Sequence, residues 1–195
     1  CGFMRTGNDW GTQTFGLQPD ILTCAKALSS GYLPISAVLV SEAIYQACVA
    51  ESEKIGTFGH GYTYSAHPVS AAVALETLKI YAERDVLGHV RAVAPRFQAG
   101  LRRLADHPLV GEARGVGLIG ALELVADKAT KAPFDPAGSA GAKVNALNQE
   151  NGLITRAMGD TIAFCPPLII GESDIDEMFA RMAKTLDAAL PLLKG

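Results

Sequence analysis

A single lysine within a long uncharged stretch constrains this chain more than any other feature. Residues 21–24 form a brief apolar and β-branched run behind a Pro19-Asp20 breaker, which predicts a short buried strand. Lys26 follows at once, and no other charged residue occurs before Glu42. A charged lysine side chain costs free energy if it is buried with so uncharged a segment. Its head group must therefore reach solvent, join a buried ion pair or form a covalent imine as the free amine.

The residues that follow Lys26 predict a turn at Ser29-Ser30-Gly31 and a second apolar strand at 35–40. The segments PDI (19–21) and AKALSSGYLPISAV (25–38) resemble the lysine segment of the fold-type I, class III aminotransferases, which use pyridoxal 5'-phosphate. In that family this lysine carries the cofactor as an internal aldimine, so the resemblance implies that role for Lys26. SSGY followed by a residue and proline is similar to the ω-amino acid:pyruvate branch.

Residues 60–68, HGYTYSAHP, resemble the HGFTYSGHP motif of the same branch. In the family, the threonine of this motif donates to the cofactor phosphate of the neighbouring subunit, and the preceding aromatic residue lines that neighbour's pocket. The resemblance assigns these roles to Thr63 and Tyr62 and implies a homodimer with a shared site. A hydroxyl near a helix start suits a phosphate. The residues by themselves leave an alternative, in which the polar side chains of this motif hydrogen-bond their own turn.

The segment NGLITRAMGDTIAFCPPLI (151–169) resembles the family segment whose arginine binds the substrate carboxylate and swings aside for substrates that lack one. The resemblance assigns this role to Arg156. The planar fork of arginine matches a carboxylate in two parallel hydrogen bonds, which supports the assignment. Without the resemblance, an arginine at a strand end is a surface ion pair, with Asp160 as its candidate partner.

The first residues, CGFMRTG, resemble the GFGRTG segment of the family, with Met4 replacing the middle glycine. In the family this segment follows the strand whose aspartate keeps the pyridine nitrogen protonated, and a glycine-rich phosphate segment lies further upstream. The resemblance covers nearly all of the chain and implies an α/β fold, the C-terminal part of a fold-type I enzyme. We expect residues 1–82 to end the large mixed-sheet cofactor-binding domain, including its interdomain helix, and residues 83–195 to form a small α+β domain.

Hydrophobic spacing and capping residues predict further elements. Helices are expected at 42–50 after a Ser41 cap, at 69–81 after Ser65 and Pro68, from 86 to about 104, at 138–150, and from a Ser173–Asp176 capping box onward. The helix at 69–81 is apolar over most of its circumference, which predicts burial between two layers. Residues 153–156 and 161–165 predict a hairpin.

Three glycines, Gly115, Gly117 and Gly120, have the G-x-G-x-x-G spacing of a dinucleotide loop. Their context is wrong for that loop, because a helical pattern precedes them and they lie inside a β-rich run. The pattern instead favours a strand whose glycines permit close packing. Residues 114–125 also resemble the first strand of the family's small C-terminal domain.

Composition limits the partners of the protein. The 195 residues are 49% hydrophobic and 19% charged, which is typical of a soluble globular protein. A net charge of −3 provides no basic surface for nucleic acid or an anionic membrane, and the uncharged run at 27–41 is too short to span a bilayer. The four cysteines are scattered without a C-x-x-C pair, which favours a reducing cytoplasm. No carboxylate or thiol stands at ligand spacing from His60 and His67, so no metal site is expected.

These segments together imply an enzyme that passes an amino group from an ω-amino acid or amine to pyruvate or a similar keto acid. Trp10 and Phe15 are candidates either for the lining of its pocket or for ordinary packing. Two alternatives stay open. The same fold hosts decarboxylases and aminomutases, and a chain without the upstream aspartate and phosphate segment could be an inactive fragment.

Overall fold

The computed structural model describes residues 2–194, which divide into two compact units. The first unit contains residues 2–3 and Asn8–Asp85, and the second contains Met4–Gly7 and residues 86–194. Cys1, with which the GFGRTG-like segment begins, lies outside the described residues. The assignment of residues 1–82 and 83–195 to two family domains stays a prediction.

The first unit pairs two short strands and places a tight turn between them. Its elements are α1 (Gly11–Phe15), β1 (Ile21–Ala25), β2 (Ser36–Val40), α2 (Glu42–Ile55) and α3 (Pro68–Glu83). The strands are antiparallel, with Cys24 opposite Ala37, and Lys26–Leu28 form a 3₁₀ turn directly after β1. Both predicted strands and the turn that follows Lys26 are therefore confirmed.

Burial in the first unit is lower than the sequence predicts. In β1, expected to be buried, only Cys24 is buried and Ile21 is 54% exposed. In α3, expected to lie between two layers, only Ala74 and Thr77 are buried. Both expectations of burial are wrong for the part of the chain that is described. β1 and β2 form a sheet of their own, and the described residues cover little of either strand.

The predicted start of α2 is confirmed, and so is proline in the first turn of α3, but the predicted cap of α3 is wrong. α2 follows Ser41 and runs on to Ile55, past the predicted end. The residue that caps α3 is His67, and Pro68 is its first residue. Ser65 does not cap this helix, because its hydroxyl accepts a hydrogen bond from the Tyr62 N–H at 3.0 Å.

The second unit packs helices on a four-stranded antiparallel sheet. Its elements are α4 (Val86–Arg103), β3 (Val110–Val116), β4 (Ile119–Leu124), α5 (Ser139–Glu150), β5 (Arg156–Met158), β6 (Thr161–Phe164) and α6 (Glu172–Lys194). The strand order is β3-β4-β6-β5. The ring centroid of Phe179 lies 5.3 Å from that of Phe97 and 5.6 Å from that of Phe164. Phe179 thereby packs α6 against α4 and the sheet. The predicted amphipathic helix, the helix at 138–150 and the hairpin are confirmed.

The glycine-rich run is a hairpin, not the single strand that the sequence predicted. β3 and β4 are joined at Gly117, whose φ of 56° favours glycine, and an added Cβ there would overlap the Arg5 carbonyl oxygen. A Cβ at Gly120 would lie 2.6 Å from Leu101. The G-x-G-x-x-G spacing is thus explained by a tight turn and close packing.

The last helix begins differently from the prediction. α6 starts at Glu172, so Ser173 lies inside it and the expected capping box is wrong. The Asp176 carboxylate instead accepts a hydrogen bond from Nε of Arg96 in α4 at 2.9 Å, which lowers the pKa of Asp176. Along residues 2–194, no helix combines the length and apolar character needed to cross a bilayer.

His107 lies at the corner between α4 and β3. Its Nδ1 accepts a hydrogen bond from the Leu109 N–H at 3.1 Å, and its Nε2 lies 3.5 Å from an Asp187 carboxylate oxygen. Burial lowers the pKa of His107, and the nearby cations of Lys128 and Lys194 lower it further. Attraction to Asp187 opposes this shift without reversing it.

We expect His107 to make the second unit less stable in mild acid. Because its folded pKa is lowered, the unfolded chain binds a proton more readily between that pKa and about 6.5. The stabilisation is full above this window and is lost as the pH falls through it. Urea unfolding at a series of pH values from 7.5 to 5 measures the free energy of unfolding. His107→Gln should make this free energy less dependent on pH, whereas the control His60→Gln, at an exposed site, should leave its pH dependence unchanged. Equal slopes for His107→Gln and the wild-type protein would contradict this expectation.

Candidate active site

The backbone of Lys26 adopts a conformation that side chains other than glycine avoid. Lys26 begins the 3₁₀ turn after β1 with φ of 55°, and its side chain is exposed. The left-handed conformation costs a residue with a side chain about 1–2 kcal/mol. Such a conformation persists only where neighbouring contacts hold it, and it is a common feature of functional sites.

Several hydrogen bonds hold the turn that follows Lys26. The hydroxyl of Ser29, which is 1% exposed, donates to the Leu33 carbonyl at 2.6 Å. The Gly31 N–H donates to the carbonyl of Lys26 itself at 3.3 Å. From α3, the Tyr81 hydroxyl donates to the Ala27 carbonyl at 2.8 Å. The sequence did not connect Tyr81 with this turn. The available signal was a phenol near the end of a largely apolar helix, since a half-buried phenol needs a partner.

Tyr62 and Thr63 lie on an exposed turn before α3. The turn is closed by the Ser65 N–H, which donates to the Tyr62 carbonyl at 2.9 Å. Tyr62 is 78% exposed, and the Thr63 hydroxyl has no hydrogen-bond partner among residues 2–194. α3 then starts with Pro68. A free hydroxyl before a helix start suits an anion, because the first N–H groups of a helix are unsatisfied and carry partial positive charge.

An open apolar cleft of about 2080 Å³ lies between β2, α2 and the loop that leads to α3. Tyr62 lines it, together with the exposed side chains of Val38, Tyr45 and Phe58. Lys26 and Thr63 are not among its lining residues. The cleft is larger than the sites of about 300–1,000 Å³ that hold small ligands. Its size and apolar character are those of a surface that contacts polypeptide.

Arg156 is the first residue of β5, in the second unit, where it pairs with Ala163. Its side chain is exposed and makes no ion pair within the described part of the chain. Asp160, the candidate partner, uses its carboxylate to accept hydrogen bonds from the N–H groups of Gly138 and Gly141, each at 2.8 Å. The alternative of an Arg156–Asp160 ion pair is therefore wrong.

Each unit thus carries part of the predicted site. Lys26, Tyr62 and Thr63 belong to the first unit, and Arg156 belongs to the second. A model of the family described as aminotransferase class III matches residues 1–186. The chain belongs to this family. Members of class III use pyridoxal phosphate.

Relatives of this class III chain are transaminases. A chloroplastic gamma aminobutyrate transaminase 3 from Solanum lycopersicum is 45% identical over 95% of this chain and 36% of its own length. A transaminase solved with L-Ala is 55% identical, with a TM-score of 0.96 over 99% of this chain and 46% of that one. The omega transaminase of Pseudomonas jessenii in complex with PMP is 46% identical, with a TM-score of 0.96 over 100% of this chain and 43% of that one. The class III chain therefore spans less than half the length of these proteins.

The groups present in this class III chain have chemistry that suits pyridoxal phosphate. Lys26 supplies a primary amine for an aldehyde, on a turn held in an unfavourable conformation. Thr63 supplies an exposed hydroxyl donor for a phosphate, and Arg156 supplies an exposed guanidinium without an ionic partner in the described residues. The fit rests on the chemistry of these donors.

Proposed function

We propose that this chain is part of an enzyme that transfers an amino group from an ω-amino acid or amine to pyruvate or a similar keto acid. The observation that carries the proposal is the position of Lys26, on a strained and tightly held turn at the end of a strand in a class III aminotransferase chain. The named relatives support this substrate class, since they include gamma aminobutyrate and omega transaminases.

Lys26 is the residue that would hold the cofactor, through its amine. The same Lys26 Nζ would also take up the proton of the substrate carbon and return it, as the general base and acid of the reaction. A positioned group of this kind contributes about 10²–10⁴-fold to the rate. Bound pyridoxal phosphate supplies an electron sink for the developing carbanion.

In this proposal Thr63 donates to the cofactor phosphate of a neighbouring subunit, Tyr62 lines that neighbour's pocket, and Arg156 binds the substrate carboxylate. The support for a homodimer is the resemblance of residues 60–68 to a motif whose threonine and preceding aromatic residue act in the neighbouring subunit. The compartment we propose is the cytoplasm, on the basis of the scattered cysteines, of which Cys24, Cys48 and Cys165 are free thiols.

Borohydride reduction tests the role of Lys26. The purified protein is incubated with pyridoxal phosphate, reduced, digested and mapped by mass spectrometry. We expect the phosphopyridoxyl group on the peptide that contains Lys26, because reduction makes the bond between cofactor and amine permanent. Lys54 and Lys79, exposed on α2 and α3, serve as internal controls. A label that is absent from Lys26, or no more frequent there than on these two lysines, rejects the assignment.

A further inference from the structure

Helix α5 binds the chain immediately before Arg156. The hydroxyl of Thr155 accepts a hydrogen bond from Nδ2 of Asn148 at 2.9 Å and donates one to Oδ1 of Asn145 at 3.0 Å. Both asparagines lie in the second half of α5. The peptide that enters β5 is therefore attached to the helix by a side chain adjacent to Arg156.

The N-terminal end of α5 binds the chain on the other side of Arg156. The carboxylate of Asp160 accepts hydrogen bonds from the N–H groups of Gly138 and Gly141, at 2.8 Å each. These N–H groups lack partners within the helix, and a carboxylate is favourable at a helix N-terminus. A Cβ added at Gly141 would overlap the Gly159 carbonyl oxygen, so the helix contacts this turn directly. One helix thus holds both ends of residues 155–160.

Arg156 faces away from these contacts. Along 153–158, buried or half-buried residues alternate with exposed ones, as expected when successive side chains of a strand point to opposite faces. Ile154, Arg156 and Met158 share the exposed face, where Ile154 is 89% exposed and Met158 is 51% exposed. The backbone of Arg156 is held from one face while its side chain stays free on the other.

Stability alone does not account for the polar contacts at Thr155. Asn148 is fully buried, and its Oδ1 has no hydrogen-bond partner in the described residues. An unsatisfied buried acceptor costs about 1–3 kcal/mol, and an apolar side chain of similar shape would avoid that cost. The Nδ2 of this amide donates to Met182 Sδ at 3.4 Å and to the Thr155 hydroxyl, and the second bond favours a role in direction, since it fixes Thr155 and with it the backbone of Arg156.

We propose that Thr155 is a positioning residue, whose hydrogen bonds to α5 direct Arg156 toward the carboxylate of the substrate. This inference rests on the proposed function of Arg156. The structure pairs Thr155 with α5 on one face and leaves Arg156 on the other, so Thr155 acts only through Arg156 and does not itself contact the substrate.

The test compares Thr155→Val and Thr155→Ser in protein loaded with pyridoxal phosphate. The two substrates are 4-aminobutanoate and butylamine. Butylamine has a methyl group in the place of the carboxylate of 4-aminobutanoate. Thr155→Val removes both hydrogen bonds, which act on the substrate only through Arg156. We therefore expect it to raise KM for 4-aminobutanoate by about tenfold, with kcat and the kinetics of butylamine unchanged. Thr155→Ser keeps the hydroxyl and should behave as the wild-type protein.

A second readout does not depend on activity. Amide hydrogen exchange of residues 153–160, followed by mass spectrometry, should be faster in Thr155→Val and unchanged in Thr155→Ser. Unchanged exchange in Thr155→Val, or an equal effect of this variant on both amines, overturns the positioning role. A wild-type protein that converts neither amine instead contradicts the proposed function.

Discussion

Lys26→Arg is expected to lower the rate of amino transfer by about 10³-fold or more, because two functions are lost together. A guanidinium stays protonated at any working pH, so it neither bonds an aldehyde nor passes a proton. The substitution keeps the positive charge and much of the side-chain length, and the loss therefore reports the chemistry of the amine. Initial rates with 4-aminobutanoate and pyruvate measure it.

Two further variants separate this loss from misfolding. Lys54→Arg, on the exposed face of α2, should retain full activity. Lys26→Gly should be inactive yet at least as stable to heat as the wild-type protein, since glycine adopts the left-handed conformation without strain. Amino transfer that survives Lys26→Arg would refute the proposed role of Lys26.

Arg156→Leu should change which substrates are accepted and leave the chemistry intact. We expect kcat/KM for 4-aminobutanoate to fall by about 10²-fold, because a charged, two-bond contact with a carboxylate is lost. For butylamine, which has no carboxylate, the change should be less than about twofold. The ratio of the two kcat/KM values measures the effect directly.

Arg156→Lys tests the guanidinium fork, because lysine keeps the charge and loses the two parallel bonds. Its kcat/KM for 4-aminobutanoate should lie between those of Arg156→Leu and the wild-type protein. Arg102→Leu, on the exposed face of α4, is the matched control and should leave kcat/KM unchanged for both substrates. If Arg156→Leu lowers kcat/KM equally for both substrates, Arg156 does not bind the carboxylate.

Local patterns predicted the elements whose signal lies within one segment. The apolar stripe of α4 is readable as recurring residues at three- and four-residue steps, and the structure buries Val90, Phe97 and Leu101 as expected. The turn after Lys26 and the hairpin that carries Arg156 were predicted for the same reason. The start of β5 was misplaced, since the strand begins at Arg156 where the sequence predicted that it would end.

Predictions failed where a polar group had a choice of partners. Ser65 was expected to cap α3 and instead accepts from the Tyr62 N–H. Asp176 was expected to complete a capping box and instead binds Arg96, 80 residues away. Asp160 was considered as a partner of Arg156 and is used by the start of α5. In each case the partner that the residue takes is not the one its local pattern suggested.

By itself, the sequence determined the family, the lysine segment and the order of most helices and strands, because short runs of neighbouring residues are enough to identify each of them. Only the tertiary structure decided how little of the first unit is buried, that the glycine-rich run is a hairpin, and that α5 holds the segment of Arg156 at both ends. These features depend on contacts between residues far apart in the chain, and no local pattern of hydrophobicity or turn residues specifies which distant groups meet.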